Sequence, residues 1–353
     1  MAILGPDNLV LLFYDGYERQ ASPALPASLK SFVRRYVRFA WKTVRRQHLR
    51  SGFYTWFLML RNALQAQGYD VRVNDFATAR RYPDHPISAS GYPTVFGKLE
   101  GLANPRVVGP GIFASPLEGP DLFNDKRNVA FLSTCQWFED IFRPFYGDRL
   151  RHWFGGFDIS TFPDARTDEK KFDVLIYDKI YFDRETTYPK TIGALTDQLK
   201  KEGLTWTVIR YGSYSFDAYI TAVKQSRSMA FFAASETQGM AYQECLALNT
   251  PIFAWDEGFW PDPRAGKLSD KPVPCTSVPY FDERCGVRFQ TANLLERWQE
   301  FRQGLDGFAP RAFIADQMTF KRSAEAYMAA YNRVKTGVQP STAPGQPQAR
   351  KTA

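Results

Sequence analysis

Cysteine and histidine are scarce in this chain of 353 residues: four cysteines (Cys135, Cys245, Cys275, Cys285) and three histidines (His48, His85, His152), none grouped with another. Ligands scattered in this way make no zinc pattern, so no metal site is expected. Cys245 falls within an apolar helical stretch and reads as a packing residue, and reduced thiols are expected throughout. Long hydrophobic runs are also missing. No apolar stretch reaches the roughly 18 residues that span a bilayer, and the opening MAILGPDNLV has neither the charged nor the apolar region of a secretory signal, so a cytosolic protein is expected. Acid is absent from one segment altogether, residues 27–50.

That segment carries the charge. The chain has 45 Lys and Arg against 37 Asp and Glu, a net charge of +8. ASLKSFVRRYVRFAWKTVRRQHLR, residues 27–50, contains Lys30, Arg34, Arg35, Arg38, Lys42, Arg45, Arg46 and Arg50, eight cations that equal the whole excess. The basicity is therefore local and does not point to nucleic acid. Leu29, Phe32, Val33, Tyr36, Val37, Ala40, Trp41 and Val44 form an apolar stripe at helical spacing between the cations. A basic amphipathic helix with aromatics suits an anionic membrane surface, through Arg34, Arg35, Arg38, Trp41, Lys42, Arg45 and Arg46. A helix packed on its own domain with a solvated basic face is the other reading.

The length suits two domains of about 150 residues. FDVLI (172–176), TWTVIR (205–210), MAFFA (229–233) and PIFAW (251–255) are short apolar runs of the buried-strand kind, and helical spacing fills 188–202, 216–226 and 240–248 between them. Strands and helices alternating in this way imply a doubly wound parallel sheet, an α/β fold. In the first half LVLLFY (9–14), YDVRVN (69–74) and NVAFLS (128–133) read as strands and residues 51–68 as a helix stopped by Gly68. Between 75 and 127, short strands are expected near 93–97 and 106–109. A boundary is placed near 157, giving domains 1–157 and 158–335. One long amphipathic helix is expected over 308–334, able to cross back to the first domain, and 336–353 has the composition of a disordered tail.

Ligands of open parallel sheets bind beyond the carboxyl ends of the strands. The loops there bring Lys179 and Arg184, then Tyr211 and Tyr214, then Glu236 and Gly239 at a helix start, then Asp256. Free N–H groups at a helix start attract phosphate, glycine allows it close, and the two cations could neutralise it. Carboxylates in such a place serve better as acceptors for sugar hydroxyls, so Glu236 and Glu244, flanking the helix start, suit the two ends of a nucleotide sugar. Tyr211 and Tyr214 are candidates for base stacking, with structural packing as the alternative. Asp256 either serves the site or caps a turn, and His85 is a weak candidate in an unassigned loop.

The spacing of Glu236, Gly239 and Glu244, followed by Thr250, Pro251 and Ile252, resembles the E-x7-E motif of retaining GT-B glycosyltransferases of the family-4 type. Lys179 and Arg184 are similar to that family's phosphate-binding pair with the two cations exchanged, and GGFDISTF (155–162) resembles its interdomain segment. The resemblance implies two Rossmann-like domains facing across a cleft. By it, Glu244 would bind the ribose and Glu236 the transferred sugar or its surroundings, while the backbone at Gly239 and Met240 would hold the diphosphate. It implies transfer from a nucleotide-sugar donor to a glycan or lipid-linked acceptor, in surface polysaccharide synthesis and without a cofactor. No D-x-D triplet occurs, which speaks for a metal-independent enzyme working in the cytoplasm or on the inner face of the membrane. A nucleotide-sugar epimerase and a non-catalytic glycan- or membrane-binding relative remain the alternatives.

Overall fold

A computed structural model describes residues 5–16, Val33, Tyr36, Val37, Ala40, Trp41 and 51–335. The chain forms two compact units: the first holds Leu49–Gly156, the described residues up to Trp41 and the chain from Phe320, and the second holds Phe157–Thr319. The expected tail at 336–353 and the cations at 34, 35, 38, 42, 45 and 46 lie outside the described residues. Among the described residues, no helix is long and apolar enough to cross a membrane.

The first unit is built on a six-stranded sheet in the order β2-β1-β3-β4-β5-β6, with β1 Leu9–Asp15, β2 Asp70–Val73, β3 Ile87–Gly91, β4 Arg106–Gly111, β5 Asn128–Ser133 and β6 Leu150–His152. All its pairings are parallel. LVLLFYD is buried along its whole length because a central strand of a parallel sheet has helices over both faces, which explains its unbroken apolar run. One covering helix, Gly52–Ala66, starts where the Ser51 hydroxyl accepts from the Tyr54 N–H and lays Phe57, Leu60, Ala63 and Leu64 on the core.

Two expectations need correction. Residues 94–98 form a helical turn and not a strand: Pro93 sits at φ −54°, ψ −22°, already helical, and the turn lets Lys98 reach back to Asp15. The long helix over 308–334 is two helices, Pro310–Gln317 and Phe320–Lys335. It breaks because the Phe157 N–H takes the Met318 carbonyl at 2.7 Å and Phe157 pairs with Thr319 in a β-bridge. The chain passes from the second unit to the first immediately after this bridge.

The second unit has a five-stranded parallel sheet, β11-β10-β9-β7-β8 in order, with β7 Phe172–Lys179, β8 Trp206–Arg210, β9 Ser226–Ala233, β10 Ile252–Trp255 and β11 Gly286–Phe289. Its core gathers Ile176, Leu195, Phe232, Phe253, Phe289 and Trp298. The order reverses at β7: the chain goes to one side for β8 and to the other for β9. Such a reversal opens a crevice at the carboxyl ends of the two strands that flank it, here β7 and β9.

Candidate functional site

Lys179 is the last residue of β7, in register with Ala233 at the end of β9, and so lies at that crevice. Past β9 the loop through Ser235, Glu236, Thr237 and Gln238 leads into the helix Met240–Ala247. Gly239 begins it in the left-handed region, φ +79°, and a Cβ there would come within 2.1 Å of the Tyr242 ring. Only glycine fits both demands. The loop is pinned from below: the Gln243 amide donates to the Gln238 carbonyl and accepts from the Gln238 side chain, both at 3.0 Å. The Glu236 N–H bonds the Thr276 carbonyl. Gly239 at the N-cap position has no side chain with which to cap the helix start, a place where backbone N–H groups can meet a ligand.

Lys179 and Glu236, from different loops, meet as an ion pair: Nζ to Oε1 is 2.5 Å, with the side chains 19% and 13% exposed. Nζ also lies 4.6 Å from the centre of the Tyr211 ring. Burial pulls the Lys179 pKa down, and the charge and hydrogen bond of Glu236 more than offset it, so the ammonium is held above its ordinary value. Tyr211 is exposed and meets Tyr181 edge to face, centroids 5.7 Å apart. Tyr214 turns inward, its hydroxyl 2.7 Å from that of buried Tyr177, and lies within electrostatic reach of both Glu236 and Glu244.

Glu244 sits one turn into the helix, half-buried, with no hydrogen-bond or ion-pair partner among the described residues. Burial alone pushes its carboxyl up to about 8. A desolvated carboxyl with open lone pairs beside a helix start is ready for an incoming donor such as a ligand hydroxyl. The structure thus brings Lys179, Tyr211, Tyr214, Glu236, Gly239, Met240 and Glu244 to one sheet edge.

Three candidates do not belong to this constellation. Arg184 closes a bidentate fork on Asp178, at 2.8 and 2.6 Å, with the Asp178 side chain only 3% exposed. Its charge is therefore spent on a near-buried carboxylate rather than free for phosphate. Asp256 accepts from the Thr276 hydroxyl and the Ser277 N–H, so it caps the turn that receives Glu236. His85 is fully buried at the opposite end of the first sheet, its Nε2 3.0 Å from the Leu9 carbonyl and its ring against Tyr331, and burial lowers its pKa. Sequence reasoning missed Asp178, Tyr181 and Gln243. Asp178 and Tyr181 stood in the same YDKIYFDRE loop as the two cations, and Gln243 stood beside Glu244.

The corresponding edge of the first unit is also at an order reversal, between β1 and β3. Asp15 ends β1 in register with Gly91, and accepts from Lys98 Nζ at 2.5 Å and the Thr94 hydroxyl at 2.6 Å.

No protein-family profile matches the chain, and no curated protein matches it. Solved structures do. AviGT4, a glycosyltransferase involved in avilamycin A biosynthesis, aligns over 94% of this chain and 98% of its own at TM-score 0.54 and 13% identity. Sucrose-phosphate synthase from Thermosynechococcus elongatus aligns over 93% and 99% at TM-score 0.55 and 12% identity. The catalytic domain of starch synthase IV from Arabidopsis thaliana, bound to ADP and acarbose, aligns over 93% and 99% at TM-score 0.54 and 8% identity. TarM matches more distantly, at TM-score 0.45, and the chain spans about half of it, 54%. Two parallel-sheet α/β units on this plan make the fold GT-B.

Proposed function

We propose that the protein is a glycosyltransferase whose second unit binds a nucleotide-sugar donor at the edge holding Lys179, Glu236, Gly239 and Glu244. The observation that carries this is Glu244: an unpartnered, desolvated carboxyl is costly unless a ligand completes it, and a ribose diol offers two hydroxyls to its oxygens. The helix start at Gly239 and Lys179 suit a diphosphate beside it. The exposed ring of Tyr211, with Tyr181 against it, is a stacking surface for the base. The ADP bound to starch synthase IV supports a ligand of this class.

The reaction in this reading is retaining and metal-independent. As the glycosidic bond loosens to an oxocarbenium-like state, charge collects on the departing diphosphate, where Lys179 and the helix N–H groups stabilise it. Glu236 holds the transferred sugar, and the acceptor, a glycan or a lipid-linked one in surface polysaccharide synthesis, attacks the same face while the leaving phosphate takes its proton. The first unit presents that acceptor. Val33, Tyr36, Val37 and Trp41 are helical and exposed, between 41% and 62%, which supports the further reading that this segment rests on an anionic membrane on the cytoplasmic side.

Thermal shift with UDP, GDP and ADP tests the donor site. Stabilisation by one of them that disappears in Glu244→Ala is expected; no stabilisation by any would remove the reading.

A further inference from the structure

The second sheet places β8, β7, β9 and β10 side by side, and their carboxyl ends carry, in that order, Tyr211, Lys179, Glu236 and the segment 256–285. Neighbouring strands stand about 4.8 Å apart, so the row is about 14 Å long. Its first three residues follow one another as base, diphosphate and sugar do in a nucleotide sugar. The fourth place holds Phe259, whose side chain is 45% exposed and meets no other ring or cation among the described residues.

This exposure is built into a hairpin. The Cys275 N–H donates to the Gly258 carbonyl at 3.2 Å, Phe259 pairs with Pro274 in an antiparallel bridge, and the Trp260 N–H donates to the Val273 carbonyl at 2.8 Å. Successive side chains of a strand take opposite faces, so Trp260 is buried and Phe259 is turned out. The returning strand is tied to the loop after β9: the Cys275 thiol donates to the Ala234 carbonyl at 3.7 Å, and the Thr276 carbonyl receives the Glu236 N–H at 3.1 Å. Thr276 is two residues from Pro274, so Phe259 is fixed beside the loop of Glu236.

We propose, resting on the donor-site reading above, that Phe259 is the platform on which the transferred sugar stacks, and that this sugar is a pyranose presenting an unbroken face of C–H groups. A pyranose carries its hydroxyls around the rim and its C–H groups on the two faces, and the two kinds of surface need different partners. Glu236 accepts from rim hydroxyls; the phenyl ring, which has no hydrogen-bonding group, covers a face. An axial hydroxyl turned toward Phe259 would lose its water and gain no partner, so the ring selects the sugar by the stereochemistry of that face. A nucleoside diphosphate has no sugar at this end and does not reach Phe259. The hairpin is thereby a specificity-determining element for the donor's sugar and not for its nucleotide.

The probes are three pairs, UDP with UDP-glucose, GDP with GDP-mannose and ADP with ADP-glucose, titrated calorimetrically against the full chain and its Phe259→Ala and Phe259→Trp variants. In Phe259→Ala the nucleotide sugar of the pair that binds is expected to weaken about three- to tenfold while its diphosphate binds as before. Phe259→Trp keeps a flat ring and is expected to hold the sugar at least as tightly as the unmodified chain. The side chain is exposed, so Tm should be unchanged in both. An alanine variant that keeps its affinity for the sugar, or loses sugar and diphosphate by the same factor, overturns the stacking. Should the alanine variant fail to fold, the tryptophan variant decides, and weaker sugar binding by it at unchanged diphosphate affinity overturns the stacking as well. These outcomes leave the donor site standing, because the diphosphate still binds. If none of the six compounds binds the unmodified chain, the donor-site reading itself falls and the platform with it.

Discussion

Replacing Glu244 by glutamine separates a ligand-binding carboxyl from a structural one, because stability and affinity move in opposite directions. Burial raises its pKa from the ordinary 4.5 to about 8. Below about pH 4.5 the carboxyl is protonated in folded and unfolded chains alike and contributes nothing. Between about 4.5 and 8 the unfolded chain releases the proton and the folded one retains it, so stability falls with rising pH at about 1.4 kcal/mol per unit. Over that window the full penalty is about 5 kcal/mol, an upper bound. The half-buried position recovers part of the solvation, so about 2–3 kcal/mol is a fairer figure. Glutamine mimics the protonated form and does not titrate. The variant is expected to match the parent near pH 5 and to exceed it by about 5–10 °C in Tm near pH 9, while its affinity for the stabilising nucleoside diphosphate drops. Thermal unfolding from pH 5 to 9, with and without nucleotide, reads both. A Tm difference that does not change with pH, or a glutamine variant less stable at pH 9, would falsify the assignment of an unpaired buried carboxyl.

Lys179→Ala removes the cation that the described residues at this edge leave for the diphosphate and is expected to lower turnover about 100- to 1,000-fold; it also breaks the largely buried ion pair to Glu236, so Tm should fall as well, and donor consumption and thermal unfolding measure the two. Arg184→Ala should show the opposite pattern: Asp178 loses its fork while nearly buried, costing about 2–3 kcal/mol of stability with nucleotide affinity nearly intact, and a large loss of affinity at unchanged Tm would return Arg184 to the site. Gly239→Ala forces a Cβ into the Tyr242 ring at a left-handed position, so nucleotide stabilisation should vanish together with about 1–3 kcal/mol of stability; a variant that binds normally would move the phosphate site elsewhere. Flotation with anionic liposomes at low salt is expected to carry the protein upward and to fail at high salt, and a chain that stays in solution at low salt has another use for its basic segment.

Much of the second unit was legible because its strands are short apolar runs and its helices are periodic, and both patterns are local. The strands missed were those with weak local signals. β3 is ISASG, too small in its side chains to read as apolar, β6 has three residues, and β11 is GVRF, four residues interrupted by a charge. The turn at 94–98 was misread because TVF is apolar in either conformation, and it was Pro93 and the reach of Lys98 to Asp15 that settled it. The break at Met318 depends on Phe157, more than 150 residues away in the chain, and no window of sequence contains both.

The sequence by itself determined which residues stand at the carboxyl ends of the strands, since alternation of apolar and helical segments places Lys179, Tyr211 and Glu236 there, and Glu244 in the helix that follows, whatever the sheet order. Tertiary structure alone decided how their charges are shared. Asp178 claims Arg184, Glu236 pairs with Lys179, and Glu244 has no hydrogen-bond or ion-pair partner among the described residues. The reason is physical: a side chain's type is local, but its solvation and its partner are set by what other loops bring to the same few ångströms.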